Sequence, residues 1–361
     1  MLKLNDISLV QFKNYDQATF TFSERIVGFF GNNGVGKTNL LDGIYYLCFT
    51  KSCFSKSEQQ NVHTGSSGFR LEGHFELSHD PQHVVCVLRG AGKKEFSVGG
   101  ELYEKNSLHI GRFPCVIIAP DDVQIITGGS EERRRYVDVL LCQLDPVYLQ
   151  NLIIYNKLLL QRTGLPKLFS ERRHFDFKLL DVYDAQLLEP GRYIFDRRKS
   201  FLEKLLPEVS IFYEKIAGSL EGIGLSYDSQ LLNNSFEHLM LQYREKDLLL
   251  QRSNAGVHKD DIEITIDGQS FKYMASQGQR KSLLFALKLA EYETLKSAKG
   301  FAPLLLLDDV FEKLDADRMH QLLHWVCVQN SGQIFITDTH QERIREHLDQ
   351  LGVSFQLIGL E

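Results

Sequence analysis

The chain has 361 residues, 43% of them hydrophobic and 24% charged, with a formal net charge of -6. This is ordinary globular composition with room for two domains. No run approaches the roughly 18 apolar residues that cross a bilayer, which excludes an integral membrane protein, while the net acidity leaves nucleic-acid binding open because phosphate recognition needs only a local basic patch.

The opening residues MLKLNDISLVQF alternate like a strand and lack the apolar core of a signal peptide. Ile7–Phe12, Ala18–Phe22 and Ile26–Phe30 read as short β runs. A glycine-rich segment, Gly31–Gly36, follows, and Thr38–Leu47 has helical spacing. Between Gly68 and Tyr103 the alternating runs are interrupted by Gly90-Ala91-Gly92 and Gly99-Gly100, which predicts an antiparallel meander. Val116–Ala119 is a short apolar run of buried type. The cysteines (Cys48, Cys53, Cys86, Cys115, Cys142 and Cys327) form no CxxC pair and read as small buried hydrophobes in a reducing compartment.

The middle of the chain is helical. Asp145-Pro146 is a helix start, with Asp as cap and Pro at the first position, where its missing N–H does no harm. Thr163-Gly164 with Pro166 beyond predicts its end. A second helical region spans Phe175–Leu206, where Leu180, Leu187, Ile194 and Phe201 recur every seventh residue as a pairing seam. Pro190-Gly191 inside that pattern predicts a kink or break. After Val257 the pattern returns to β: Ile262–Ile266, an Asp267-Gly268 turn and Phe271–Met274 predict a hairpin. A helix over Gly278–Lys296, an all-apolar strand at Leu304–Leu307 and a last short strand at Gln333–Thr337 complete the reading. Two α/β pieces, 1–125 and 257–361, therefore flank a helical arm at 126–256.

Three motifs carry chemistry. Gly31-Asn32-Asn33-Gly34-Val35-Gly36-Lys37-Thr38 is a complete GxxxxGK[ST] P-loop between a strand and a helix. Its glycines let backbone N–H groups wrap phosphates, Lys37 reaches the β- and γ-phosphates, and Thr38 ligates Mg²⁺. Leu304–Leu307 delivers Asp308 and Asp309 at the carboxyl end of a central strand, where nucleotide sites open in α/β sheets. Asp308 is the expected second Mg²⁺ ligand and Asp309 the residue that orients or deprotonates the attacking water. A strand ending in Asp-Asp serves equally well as a cap or turn; the P-loop is what makes it a Walker B motif.

Ser276-Gln277-Gly278-Gln279 opens a helix shortly before that strand and resembles the ABC signature, whose serine and glycine cap the γ-phosphate of ATP on the opposite subunit. Helix N-caps commonly look like this, so its position between the two motifs carries the reading. About 240 residues separate P-loop and signature, room for an inserted helical arm. The fold expected is α/β: an ABC-type P-loop ATPase head, with a mixed sheet and an antiparallel β lobe, interrupted by an α-helical arm. Rival readings are the ATPase subunit of an ABC transporter and a small-molecule phosphotransferase; the arm argues against the first and the signature against the second.

Over essentially its whole length the chain resembles the RecF family of bacterial recombination and repair ATPases. The matching segments are Phe12-Lys13-Asn14-Tyr15, Gly31–Leu41, Ala119-Pro120-Asp121-Asp122 and Gly128–Asp138, followed by His258-Lys259-Asp260-Asp261, Ala275–Lys281 and Leu304–Val310. The resemblance implies a weak cytoplasmic ATPase that binds DNA at gaps or single-/double-strand junctions as an ATP-driven head-to-tail homodimer. It also implies slow DNA-stimulated hydrolysis, loading of RecA together with RecO and RecR, and a part in replication restart and the SOS response. Asp309 agrees with the family's Asp where most ABC ATPases have Glu. The D-loop region departs from the family, with Phe311-Glu312-Lys313-Leu314-Asp315 carrying Lys313 but keeping Asp315. His340 is either the switch histidine or a surface helix residue, with Asp338 nearer the usual place, and Gln124 is the Q-loop candidate.

Basic residues concentrate in the arm at Arg133, Arg134, Arg135, Arg162, Lys167, Arg172, Arg173, Arg197, Arg198 and Lys199. Arg133–Arg135, Arg172, Arg173, Arg197 and Arg198 are the candidate DNA contacts, through phosphates rather than bases. The competing reading is a solvated charged face and, for Arg133–Arg135, contact with the nucleotide lobe or support of the arm.

Overall fold

The structure is a computed structural model and describes residues 1–90, 92–172, 177–218, 221–312 and 316–361. It divides into two compact units. The first comprises Met1–Val123, Phe212–Ser219 and Ser276–Glu361, and the second Gln124–Ile211 and Leu220–Ala275. The first division, after Val123, lies two residues before the expected 125/126 boundary. The hairpin after Val257, expected with the C-terminal head, instead groups with the helical unit as far as Ala275.

The first unit holds two sheets. Strands β1 (Leu2–Phe12), β2 (Tyr15–Thr21), β4 (Phe69–Leu77), β5 (Asp80–Leu88), β6 (Lys94–Val98) and β7 (Glu101–Leu102) form an antiparallel sheet in the order β2-β1-β4-β5-β6-β7. Strands β3 (Ile26–Phe30), β8 (Cys115–Ile118), β12 (Leu304–Leu307), β13 (Ile334–Asp338) and β14 (Gln356–Gly359) form a parallel sheet, order β14-β3-β13-β12-β8. Leu304–Leu307 is buried at every position, as a central parallel strand covered on both faces must be. Helix α1 (Lys37–Phe49) is buried from Leu40 to Phe49 and packs against strands of both sheets. Its Gly43 lets Leu9 and Ile7 of β1 come close. Helix α8 (Gln277–Lys299) supports β8, and the short helices α9 (Ala316–His324) and α10 (Gln341–Gln350) complete the unit.

The second unit contains α2 (Gln124–Thr127), α3 (Ser130–Leu144), α4 (Pro146–Arg172), α5 (Phe177–Ala217) and α6 (Phe236–Leu250). Beside them is a three-stranded antiparallel sheet of β9 (Ile223–Asp228), β10 (Asp261–Ile266) and β11 (Gln269–Ser270), followed by the one-turn helix α7 (Phe271–Met274). The last turns of α5, from Phe212, belong with the first unit, where the Phe212 ring meets Trp325 edge-on.

Three local expectations are corrected. Helix α4 does not stop at Gly164 but continues through Pro166 to Arg172. Helix α5 does not break at Pro190-Gly191 and carries both Pro190 and Pro207. Gly191 is a packing residue: a Cβ there would lie 2.2 Å from the Phe236 ring. Leu180, Leu187 and Ile194 are all buried, so the seam outweighs the proline. The expected strand Phe271–Met274 is α7, because the Asp267-Gly268 turn (φ 49° and 75°) pairs Ile266 with Gln269 and leaves only Gln269-Ser270 as the return strand. No described helix is long and apolar enough to cross a membrane.

Candidate functional site

The P-loop leaves β3 at Phe30 and enters α1 at Lys37. Two of its glycines are required by close approaches. A Cβ on Gly31 would lie 2.5 Å from the Leu360 carbonyl oxygen, and one on Gly36 (φ 111°) 2.6 Å from the Asn14 amide. No side chain caps the first turn of α1, so its leading N–H groups are the kind of donor set that receives an anion. The Lys37 ammonium donates to the loop's own carbonyls, Gly31 O at 2.7 Å and Asn32 O at 3.0 Å.

The turn between β1 and β2 supports this loop. Asn14 Nδ2 donates to Val35 O at 3.0 Å, Tyr15 Oη donates to Gly36 O at 3.0 Å, and Asn39 Nδ2 donates to Asn14 Oδ1 at 2.7 Å. In the sequence Asn14 and Tyr15 stand only as residues that match the family pattern, with no role attached. Their placement against the loop depends on pairing of β1 with β2, which no local pattern states.

The carboxyl ends of β3, β13 and β12 lie side by side, with Asp338 opposite Phe30 and Leu307 opposite Ile336. Asp308 is buried there and touches Thr38, with Thr38 Oγ1 at 3.0 and 2.9 Å from its two carboxylate oxygens. Thr337 Oγ1 donates to Asp308 Oδ1 at 2.8 Å and accepts from Asp309 N at 2.9 Å. Thr337 was not anticipated; an unremarkable Thr inside a strand gives no sequence signal. Burial pushes the Asp308 carboxyl above its ordinary range, opposed by the Thr337 and Thr38 hydroxyls. A hydroxyl and a carboxylate at this spacing form an oxygen set suited to a hard cation such as Mg²⁺. Asp309 sits at φ 45°, a left-handed conformation costing a non-glycine residue about 1–3 kcal/mol.

Ser276 caps α8: its hydroxyl accepts from Gln279 N at 3.2 Å while Gln279 Oε1 accepts from Ser276 N at 2.8 Å. Gln277 is the first residue of the helix. Gly278 allows the Arg318 guanidinium to lie against the backbone, since a Cβ there would meet Arg318 Nη1 at 2.7 Å. His340 is exposed and precedes α10 without capping it, its backbone N–H donating to Asp338 Oδ1 at 2.7 Å, whereas Asp338 is buried at the strand end. Gln124 begins α2 and is exposed. Lys313 and Asp315 lie outside the described residues.

The arginines of the helical unit divide by burial. Arg198 is 3% exposed; it donates to Asp260 Oδ2 (2.9 Å), Val257 O (2.7 Å) and Asp138 Oδ1 (2.8 Å). Tyr227 and Ser229 hydroxyls complete the Asp260 carboxylate at 2.6 Å each. Arg133 clasps Asp261 with two bonds of 2.6 and 2.8 Å, and Arg134 donates to Asp260 O at 2.6 Å. Arg162, 1% exposed, pairs with Asp184 and Asp247. Arg198 therefore has no surface to offer a phosphate, and Arg133 and Arg134 are committed to holding the hairpin segment in the unit. Arg135 and Arg197 are exposed, Arg197 also pairing with Asp145 at 2.8 Å. Arg173 and the Arg172 side chain lie outside the described residues.

A family model described as the RecF/RecN/SMC N terminal domain matches residues 3–358. The DNA replication and repair protein RecF of Flavobacterium johnsoniae is 40% identical over 359 residues, covering 99% of this chain and 100% of the relative. That of Cytophaga hutchinsonii is 42% identical over 340 residues, 94% and 90% of the two chains. A solved structure of the recombination mediator protein RecF with ATP, from the RecFOR pathway, superposes with a TM-score of 0.87 at 28% identity, covering 94% of this chain and 92% of that one. The Smc head domain of Pyrococcus furiosus, at 15% identity and a TM-score of 0.56 over 99% of this chain and 93% of that one, shares the fold.

Proposed function

The chain belongs to the RecF family of DNA replication and repair proteins, and from that membership we propose that it binds Mg-ATP at the Gly31–Thr38 loop and uses the nucleotide to close on DNA as a homodimer. The observation that carries the nucleotide reading is the contact of Thr38 with Asp308, which brings the two expected Mg²⁺ ligands together from opposite ends of the chain.

In this reading Gly31, Asn32, Asn33, Gly34, Val35 and Gly36 supply backbone N–H donors, and Lys37 exchanges its two loop carbonyls for phosphate oxygens. Thr38 and Asp308 hold the cation, which when bound neutralises developing phosphate charge. Asp309, set apart from Asp308 by its left-handed backbone and held at its N–H by Thr337, orients the attacking water. Ser276, Gln277, Gly278 and Gln279 of a second copy close over the γ-phosphate, so that dimerisation reports ATP and slow hydrolysis releases it. Among the described residues, Arg135 and Arg197 are the remaining exposed candidates for phosphate contact at gapped or junction DNA.

A cytoplasmic site of action, partnership with RecO and RecR, and help in loading RecA are part of the same proposal. Family membership removes the support for the transporter and phosphotransferase alternatives. The test is fluorescence anisotropy of a gapped duplex titrated with the protein, with and without Mg-ATP, at two salt concentrations. Tighter binding with Mg-ATP that is lost in Lys37→Arg supports an ATP-closed clamp; equal binding in both nucleotide states overturns it.

A further inference from the structure

The outward face of the antiparallel sheet carries a cluster unrelated to the nucleotide site. On β4, Phe69, Leu71 and Phe75 point inward and are buried, so Arg70, Glu72, His74 and Glu76 face outward. His74 lies directly across from His83 of β5, their rings stacked 4.5 Å apart at 6°. Glu72, two residues before His74 on the same face, accepts from His83 Nε2 through Oε1 at 2.5 Å. One ring nitrogen of each histidine and a Glu72 oxygen all fall within 4.8 Å of one another.

On the opposite side of His74, β1 contributes Asp6. The register of β1 against β4 slips between Leu4 and Asp6, so that Asn5 is an extra residue. Leu2 and Leu4 are buried before this bulge and Ile7 and Leu9 after it, a change of phase that turns Asp6 onto the outer face opposite His74. There Asp6 Oδ1 accepts from His74 Nδ1 at 2.7 Å. A carboxylate on Nδ1 fixes the tautomer with the Nε2 lone pair free, which is how metal-ligating histidines are oriented by their outer partners. Arg70 occupies only Glu72 Oε2, leaving Oε1 directed at His83.

We propose that Glu72, His74 and His83 form a binding site for a zinc-class divalent metal ion, with Asp6 as the positioning residue for His74. Two imidazoles and one carboxylate are a borderline-soft donor set that suits zinc and its neighbours better than Mg²⁺ or Ca²⁺. Tetrahedral zinc with bonds near 2.0–2.1 Å sets its ligands about 3.4 Å apart. The His83–Glu72 contact must therefore open by about 1 Å while His74 closes in, movements within reach of side chains exposed by 39%, 25% and 52%. Binding displaces the His83 Nε2 proton, and the fourth position faces solvent, open to water or a ligand from another molecule. The ion ties β4 to β5, and through Asp6 to β1.

The test is calorimetric titration of the chelator-treated, nucleotide-free full-length protein with Zn²⁺, alongside Co²⁺ absorption. One equivalent of Zn²⁺, with a tetrahedral Co²⁺ visible spectrum lacking sulfur charge-transfer bands, is the expected result. His74→Ala and His83→Ala should each abolish that equivalent, Asp6→Asn should weaken it about 10–100-fold, and Asp308→Asn should leave it unchanged. Circular dichroism melts of the variants separate loss of ligands from loss of fold; these outward side chains should leave the apo melt unaltered. Absence of binding in the unsubstituted protein, or an equivalent that survives the His74→Ala/His83→Ala pair, overturns the proposal.

Discussion

Thr38 and Asp308 are 270 residues apart in sequence, yet the threonine hydroxyl lies 2.9 Å from one Asp308 carboxylate oxygen and 3.0 Å from the other. The contact joins the first turn of α1 to the carboxyl end of β12 and is reinforced from β13 by Thr337. A buried carboxylate with a raised pKa and two hydroxyl donors is prepared for a cation rather than for solvent.

Thr38→Val preserves shape and removes the hydroxyl. The expected result is a folded protein whose Mg-ATP hydrolysis falls by about 100-fold or more, as for loss of one preorganised group that acts on transition-state charge. Steady-state phosphate release at saturating Mg-ATP checks it. Unchanged turnover would remove Thr38 from the cation site.

Lys37→Arg should weaken ATP-dependent dimerisation, because a planar fork does not fit the place of a compact ammonium held between Gly31 O and Asn32 O. Analytical ultracentrifugation with and without Mg-ATP reads this directly. A variant that still forms tight ATP-dependent dimers sinks the assignment.

Asp309→Asn should keep ATP binding while slowing cleavage, so that the ATP-bound dimer persists. Single-turnover hydrolysis and dimer lifetime should change together. Turnover equal to that of the unsubstituted protein would exclude Asp309 as the water-positioning residue.

Arg198→Ala leaves Asp260 and Asp138 without their buried counter-charge and should destabilise the helical unit by about 3–5 kcal/mol. Denaturant unfolding followed by far-ultraviolet circular dichroism measures this. Arg197→Ala, on an exposed position, should leave stability within about 0.5 kcal/mol and, if it meets a phosphate, lower the salt slope of DNA binding by about 1. A stable Arg198→Ala protein with weakened DNA affinity would reverse the two roles.

His109 is fully buried, with Nε2 donating to Leu47 O at 2.7 Å, and burial lowers its pKa to about 4. In the unfolded chain it titrates near 6.5. Its folded pKa is depressed, so neutral His109 contributes nothing unfavourable above pH 6.5. Stability is then lost as pH falls from 6.5 towards 4, at about 1.4 kcal/mol per pH unit. Unfolding free energies measured across that window should lose this slope in His109→Gln; an identical slope in both proteins would exclude His109 as its source.

The P-loop, the Asp308-Asp309 pair, the Ser276 cap and the family membership were legible because each is a local string whose order along the chain is itself informative. The helices were legible as elements but not in extent. Glycine and proline at 164–166 predict a stop and at 190–191 a kink or break, yet both helices continue. In α5 the buried seam through Leu187 and Ile194, and the ring of Phe236 against Gly191, outweigh the local cost. The antiparallel lobe was expected, but not the bulge at Asn5 that turns Asp6 toward His74.

By itself the sequence determined the nucleotide-binding class, the two-part head and the helical insertion, because phosphate loops and apolar periodicity are written in neighbouring residues. Only the tertiary structure decided which charges are structural and which face water. Arg197 and Arg198 are adjacent and chemically identical in sequence. One is 45% exposed, and the other is enclosed by Asp138, Asp260 and the Val257 carbonyl. A guanidinium is committed to the fold when carboxylates from distant segments replace its water, and that exchange is settled by packing.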